Sequence, residues 1–349
     1  MGYVSRNRHS SFLGRGIPEY LILHMAPTLG LVPKKTVRRI VEFCREKSYV
    51  ALIGVEKGGL SLAGAVSQQT GLPLVYYSLE LYDWDNPWVK ISHRMKRLKR
   101  IEERYHPRCA ATIVQDVHRG RALLASNHIS EDMVTAYLPV SLPGSPNSTS
   151  SGWLQNELNL DAGKILILSF GFMSRRRLGT ELVLMAQSFP EGWRLVFHGH
   201  GEPEFIQTMR SADVLNRVCV SQRLVTASRR EEIIRSAKIG LAVYASEPLN
   251  EQLTGLSSEK IALYFKCGLP VIAFRHPSYE HIEAEQAGVL VERLEDIPAA
   301  VRTILQDHEL YARRAYGCFL KHYQFETNFR CVLHTLGQIS KNGVIEAKT

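Results

Sequence analysis

Short, largely apolar runs that look like buried strands alternate with amphipathic stretches along the first part of this chain, at 49–54 (YVALIG), 73–77 (PLVYY) and 110–114 (AATIV). A largely apolar run suits a strand covered on both faces of a parallel sheet, and patterns of helical period lie between these runs at 60–70, 88–106 and 117–127. The alternation predicts a parallel α/β domain. Ser141 to Gly152 (SLPGSPNSTSSG) is rich in Ser, Pro and Gly without any apolar period, which predicts a linker. Beyond it five more strand-like runs follow, KILILSFG (164–171), WRLVFHGHG (193–201), RVCVSQR (217–223), IGLAVY (239–244) and LPVIAF (269–274), separated mostly by amphipathic stretches. They predict a second doubly wound sheet. The tail from Leu305 to Ser340 is helical in pattern, with an interruption near Tyr323 to Thr327.

The expected organisation is an amino-terminal domain over 1–143, a linker over 144–160, a second domain over 161–325 and a closing helix over 326–349 able to pack back on the first domain. The first domain is short. No clear initial strand with a glycine-rich loop precedes His24, so either this lobe is abbreviated or its first strand is YLILH at 20–24.

The stretch from Gly255 to Phe274, GLSSEKIALYFKCGLPVIAF, carries the most chemistry. Ser257 and Ser258 are good helix caps, and Ile261, Leu263, Tyr264 and Phe265 follow at spacings of a mostly buried helix. Gly268 and Pro270 end it, and Val271 to Phe274 reads as a buried strand. A helix start leaves backbone N–H groups free and carries positive partial charge, so a phosphate there gains hydrogen bonds and electrostatic attraction together. Lys260 in this first turn opposes the helix dipole unless an anion lies nearby, and Glu259 offsets part of its charge. The plainer alternative is an ordinary helix–strand unit with a serine cap and a solvent-facing lysine. Ligands of open α/β sheets bind outside the carboxyl ends of the strands, so the loops after the strands of the second domain are where chemistry is expected.

Composition narrows the classes. A chain of 349 residues suits two domains, each large enough to fold without staples. The six cysteines (Cys44, Cys109, Cys219, Cys267, Cys318 and Cys331) show no CxxC or metal-type spacing, which points to free thiols in a reducing cytoplasm. No apolar run approaches the roughly 20 residues of a membrane span, and the amino terminus lacks the apolar core of a secretory signal. A soluble or peripherally bound protein is therefore expected. The formal charge of +9 favours anionic partners without choosing among them.

SFGFMSRRR after the first strand of the second half, FHGHGEPE after the next, the AKIGLAVY strand, SSEKIALYFKCGLPVIA and the closing YQFETNFRCVLHTL occur in this order. Together they make the region from about Lys164 to Leu336 resemble the donor-binding lobe of GT-B fold glycosyltransferases, nucleotide-sugar-dependent enzymes of the group 1, family 4-like kind. The resemblance implies an α/β protein of two Rossmann-like, doubly wound parallel-sheet domains facing a cleft. It also implies a nucleotide-diphosphate sugar as donor substrate, with no metal and no other cofactor. By the same resemblance Gly171, Ser257, Ser258 and Lys260 match the positions against which the diphosphate lies. A departing nucleoside diphosphate builds up negative charge, and without a metal that charge needs fixed cations, for which Arg175, Arg176 and Arg177 are available. Arg177 is favoured because it opens the following helix.

Gly199 and Gly201 would let backbone approach the ligand, or serve a tight turn, while His198 and His200 read as loop or partly buried histidines rather than catalysts. Tyr244, Asn250 and Glu251 lie in a long polar loop where the resemblance places contacts to the sugar or diphosphate. Glu251 and Glu259 have the spacing of a glutamate pair found in many members of the family. Counting back from Gly268-Leu-Pro-Val, however, the second glutamate of that pair falls on Leu263, so Glu259 belongs to the Ser-acidic-Lys version of the helix.

In the first domain PLVYYSLELYDWDNPW sets Glu80, Asp83 and Asp85 just beyond a strand, and an inverting enzyme would use one of them to activate an acceptor hydroxyl. Glu80 is preferred, because it follows the strand most closely and resembles the family's short Ser-x-Glu turn. Glu80 and Glu251 are thus the catalytic candidates; a retaining mechanism would need no base. Trp88, Ile91, Met95, Leu98, Ile101 and Tyr105 make one apolar stripe over the helix 88–105, surrounded by Lys90, Arg94, Lys96, Arg97, Lys99, Arg100 and Arg104. This face either packs on a core with its basic side in solvent or meets an anionic membrane surface, a reading that a lipid-linked acceptor fits. No nucleic-acid module accompanies the basic residues, so no nucleic-acid partner is expected.

The expected function is transfer of a sugar from a nucleotide-diphosphate sugar to a glycan or lipid-linked acceptor in cell-surface polysaccharide or glycolipid synthesis. The expected location is cytoplasmic, peripheral at the inner face of the membrane. The alternatives are a catalytically silent GT-B-like protein that binds a sugar nucleotide or activates a partner and, more weakly, an epimerase or dehydrogenase. A dehydrogenase would want a GxGxxG turn followed by an acidic residue, which is not found in convincing form.

Overall fold

The computed structural model describes residues 3–5, 19–24, 32–47, 49–145, 152–245 and 247–346. The loop that follows YLILH and the stretch 146–151 of the expected linker lie outside the described residues. The chain forms two compact units: one of Met1–Pro139, Pro248–Asn250 and Thr327–Thr349, the other of Val140–Glu247 and Glu251–Glu326.

The first unit holds a six-stranded sheet: β1 (Tyr3–Ser5), β2 (Glu19–His24), β3 (Tyr49–Val55), β4 (Leu74–Tyr77), β5 (Ala111–Val114) and β6 (Thr135–Tyr137), in that order. Only β1 runs antiparallel to its neighbour. YLILH is therefore a strand, pairing β3 in register from Leu21↔Leu52 to His24↔Val55. The strands are joined by α1 (Lys34–Glu46), α2 (Glu56–Thr70), α3 (Pro87–Ile91), α4 (His93–Tyr105) and α5 (Val117–Ser126). Side chains alternate across a pleated strand. Ala51, Ile53, Val75, Ala111 and Ile113 accordingly form one core with Val332, Leu336 and Ile339 of the closing helix, Phe325–Glu346.

The single basic helix expected over 88–105 is two helices. Ser92 ends α3 and caps α4, its Oγ accepting from Met95 N. The phase of the apolar stripe is lost at that break: Trp88 is 47% and Ile91 73% exposed, whereas Leu98, Lys99 and Glu102 face the interior. Lys99, expected on the basic outer face, is fully buried, with Nζ 3.0 Å from Glu102 Oε2, 2.7 Å from Ser126 Oγ and 2.6 Å from Asn127 Oδ1.

Lys57 Nζ lies 3.3 Å from Glu102 Oε1, and the Tyr76 hydroxyl donates to the same oxygen at 2.6 Å. Burial pushes the Glu102 carboxyl up, but Lys57, Lys99 and the Tyr76 bond outweigh it and hold it below its ordinary value. The stability Glu102 contributes is thus present above its unfolded value and lost as pH falls through the lower folded one. Glu102→Gln leaves two buried ammonium groups around a neutral amide. We expect a loss of about 3–5 kcal/mol, read as a drop in the urea midpoint at pH 7.

The second unit contains β7 (Ile165–Phe170), β8 (Trp193–His198), β9 (Val218–Ser221), β10 (Ile239–Ala242), β11 (Val271–Phe274) and β12 (Gly288–Val291). All are parallel, in the order β12-β11-β10-β7-β8-β9. The chain builds outward from β7 to β9 and returns on the other side of β7 with β10, so the strand order reverses between β7 and β10. Both faces are covered: Leu166, Leu168, Val271 and Ala273 enter one core, and Ile167 and Ile272 enter the other. Two elements depart from expectation. β12, a run of only four residues (GVLV), adds a sixth strand by pairing in parallel with β11 and burying Leu290 and Val291. Trp153–Glu157, within the expected linker 144–160, is a helix because Leu154 is fully buried in the first of these cores.

Candidate functional site

The reversal between β7 and β10 fixes where a ligand pocket of this sheet belongs. β7 ends at Phe170, and Gly171 leaves it at φ 113°, a left-handed value that suits glycine. Gly171 N donates to His198 O at 2.9 Å and Met173 N to His200 O at 2.8 Å, so the loops after β7 and β8 run side by side. A Cβ on Gly199 (φ 151°) would stand 1.9 Å from Gly171 O, and one on Gly201 2.6 Å from Met173 O. Both glycines therefore serve this backbone contact. Gly199→Ala should cost about 3 kcal/mol or more, since neither its dihedral nor its space admits a methyl group; the urea midpoint measures the loss. His198 is a core residue: its Nδ1 is 3.0 Å from Ser221 Oγ, its ring stacks on Phe170, and burial lowers its pKa against the opposing charge of Glu157.

From the β10 side comes Tyr244, and from above it the start of the helix Glu259–Lys266. Ser258 caps that helix, its Oγ accepting from Ile261 N at 3.3 Å while 2.8 Å from the Tyr244 hydroxyl. The Tyr264 hydroxyl, one turn further on, donates to Leu168 O at 3.0 Å and accepts from Phe170 N at 2.8 Å, which pins the helix to the end of β7. Pattern alone marks Tyr264 as an apolar position and carries no signal for this role.

Two cations lie against the ring of Tyr244, the Arg177 guanidinium 4.4 Å and Lys260 Nζ 5.2 Å from its centroid. Arg177 belongs to a 3₁₀ turn, Arg175–Arg177, and Leu178 in the left-handed region (φ 52°) redirects the chain into the helix Gly179–Ala186. Its Nη1 is 2.9 Å from Glu251 Oε2, close enough for an ion pair but not aligned as a hydrogen bond, so both buried atoms keep hydrogen-bonding capacity. Lys260 extends over Gly171, whose added Cβ would lie 3.9 Å from Lys260 Cε. Desolvation, then the neighbouring Arg177, lower the Lys260 pKa to about 7, with Glu251 opposing. An anion placed here would relieve the repulsion between the two cations, satisfy the unaligned Arg177 N–H and restore the charge of Lys260.

Gly171, Arg177, Tyr244, Glu251, Ser258 and Lys260 are thus assembled in one place. Gly199 supports the Gly171 loop, with Gly201 beside Met173. Ser257 Oγ donates to Leu253 O at 3.2 Å, and Glu259 is exposed with its Oε1 3.0 Å from Arg230 Nη1. Leu263, the position of a second family glutamate, is a buried core residue. Asn250 belongs to the first unit: its Oδ1 accepts from Leu81 N at 2.8 Å and Arg119 Nη2 at 2.9 Å, and its Nδ2 donates to Glu80 Oε2 at 2.8 Å.

In that first unit Glu80 follows the carboxyl end of β4 and is exposed. Of the acids near it, Asp83 Oδ1 accepts from Asn86 N at 2.7 Å and Asp85 Oδ1 pairs with Lys90 at 3.0 Å. Glu80 is the member of the three that stands next to the strand end.

No protein-family model matches the chain, and no curated protein matches it in sequence. Solved structures match it in fold. Anabaena Alr3699/HepE in complex with UDP aligns at TM-score 0.66 and 16% identity over 86% of this chain and 82% of its own. Sucrose-phosphate synthase from Thermosynechococcus elongatus aligns at TM-score 0.64 and 15% identity over 91% and 81%. A glycosyltransferase from Rickettsia africae aligns at TM-score 0.65 and 14% identity over 88% and 81%. The chain has the GT-B fold, with two Rossmann-like α/β units. Among the described residues no helix is long and apolar enough to cross a membrane.

Proposed function

We propose that the protein is a glycosyltransferase that takes a sugar from a nucleotide-diphosphate sugar. The observation that carries this reading is the convergence of Arg177 and Lys260 on the ring of Tyr244, at the strand reversal and the start of the Ser258-capped helix. Two cations near enough for Arg177 to lower the Lys260 pKa, in a partly desolvated place, are unfavourable alone and complementary to a diphosphate. As the glycosidic bond breaks, charge grows on the leaving diphosphate, and fixed cations with helix N–H groups stabilise it without reorganisation. In this proposal Arg177, Lys260 and those N–H groups take the place of a metal. Glu251, held against Arg177, borders the sugar side of the site. Anabaena Alr3699/HepE has been solved with UDP and with UDP-glucose, so uridine and glucose are the first base and sugar to try.

The acceptor belongs to Glu80 in the first unit, and a lipid-linked or glycan hydroxyl of the cell-surface class suits the surface nearby. Trp84, Trp88 and Ile91 are exposed, as are Lys90, Arg94, Arg97, Arg100 and Arg104 of the α3–α4 stretch, a combination of apolar and basic side chains that would suit an anionic bilayer on the cytoplasmic side. The test is nucleoside-diphosphate release from a panel of sugar nucleotides, UDP-glucose first, with and without membrane lipid extract. Lipid-dependent release supports transfer to a lipid-linked acceptor and identifies the donor. Binding without release across glycan and lipid acceptors would instead indicate a silent sugar-nucleotide-binding protein, and absence of binding would sink the donor site.

A further inference from the structure

The β3–α2 junction carries a feature that sugar transfer does not by itself require. Glu56, the first residue of α2, has φ 57°, in the left-handed region that residues with a Cβ seldom adopt. The glycines around it allow a sharp bend: a Cβ on Gly54 would lie 2.7 Å from Leu60 Cα, and one on Gly59 2.3 Å from Leu23 O. A non-glycine residue held in such a conformation persists where its surroundings require it, and these outliers gather at functional sites.

What holds Glu56 is the turn after β4. Its Oε1 accepts from both Leu79 N (2.6 Å) and Glu80 N (2.9 Å). The rest of that turn is bound as completely. Ser78 N donates to Ile113 O, Ser78 O accepts from Gln115 Nε2, and Leu79 O accepts from Arg119 Nη2. Glu80 O accepts from Lys57 Nζ at 3.2 Å, and Leu81 N donates to Asn250 Oδ1. Every backbone N–H and C=O from Ser78 to Glu80 is thus bound within the protein, although Leu79 and Glu80 themselves are exposed. An ordinary surface turn leaves such groups to water.

We infer that Glu56 is a positioning residue for the acceptor base: the strained bend aims its carboxylate at two successive amides so that the Glu80 side chain departs from a fixed backbone. The inference rests on the reading of Glu80 as that base. A catalytic carboxylate must be held to a fraction of an ångström, which an exposed turn does not achieve unaided.

Three variants test it: Glu56→Gly, which relieves the dihedral and removes the carboxylate; Glu56→Gln, which keeps an acceptor oxygen; and Glu80→Gln. Hydrogen exchange at the Leu79 and Glu80 amides reads the anchor directly. The expected result is that Glu56→Gly folds with unchanged or higher Tm, loses protection at those two amides, and drops kcat tenfold or more with UDP affinity within twofold. Glu56→Gln should regain most of both losses. Retained protection in Glu56→Gly would overturn the anchor. Lost protection with wild-type kcat, while Glu80→Gln is inactive, would overturn the positioning role. Wild-type kcat in Glu80→Gln would remove the base itself, and the inference would fall with it through a different variant.

Discussion

Lys260→Met should lose nucleotide-sugar turnover by about 10²–10³-fold and weaken UDP binding, yet melt at a higher temperature than the wild type at pH 7. The two effects have one cause. The Lys260 ammonium is desolvated and feels the positive charge of Arg177, and its pKa falls to about 7. Between about pH 7 and the ordinary lysine value the unfolded chain binds a proton that the folded one does not, so the wild type gains stability from this group as pH rises through that window. Methionine keeps the stem and removes the charge. Its advantage is therefore largest at and below pH 7 and shrinks toward pH 10. Because the side chain keeps some solvent exposure, the gain is modest, a few degrees at most. A diphosphate reverses the balance by drawing the lysine back to its charged form, so UDP binding at pH 8 should take up a proton. Calorimetry in two buffers of different ionisation enthalpy measures that uptake. A wild type with no uptake, or a methionine variant with undiminished turnover, would remove Lys260 from the diphosphate site.

The same residues show how far pattern can be read into structure. Lys260 and the Ser258 cap are legible because a helix start has a local signature, and Gly171 because it ends a largely apolar run. Arg177 could be favoured only as the last of three arginines. What selects it is contact with Tyr244 and Glu251, which are 67 and 74 residues away, and no local period encodes that. The strand reversal at β7 and β10 is likewise a matter of pairing order, which alternation of strands and helices leaves open. The misread helix at 88–105 failed for a different reason. A serine between two helical patterns can be passed through or can cap, and here Ser92 caps; Lys99 then turns inward because Glu102, Ser126 and Asn127 give its charge partners. Asn250 is the clearest limit. It sits next to Glu251 in the chain, yet its carboxamide is bound by Leu81, Arg119 and Glu80 of the first unit.

Glu80→Gln should reduce turnover by about 10²–10⁴-fold while leaving UDP affinity within twofold, the range expected for removing one general base. The substitution separates chemistry from architecture because little else depends on the carboxylate. Glu80 is exposed, its backbone is bound by Glu56 and Lys57 rather than by its own side chain, and its contact with Asn250 Nδ2 can be kept by the glutamine carbonyl. Tm should therefore stay within about 2 °C, as for a surface change of a few tenths of a kcal/mol. Glu80→Asp tests reach in place of charge. It retains a carboxylate but draws it back by one methylene along a turn that cannot follow, so a base acting directly on the acceptor should lose at least tenfold in kcat even though its charge survives. If Glu80→Gln turned over at the wild-type rate, the acceptor hydroxyl would have to be deprotonated without this residue, as in a retaining mechanism where the departing diphosphate can take the proton. The sites in the two units would then divide differently: Arg177, Lys260 and the capped helix would stabilise the leaving group, and the rigid turn at Glu80 would only orient the acceptor. Comparing the anomeric configuration of product and donor by NMR decides between those divisions independently of any rate.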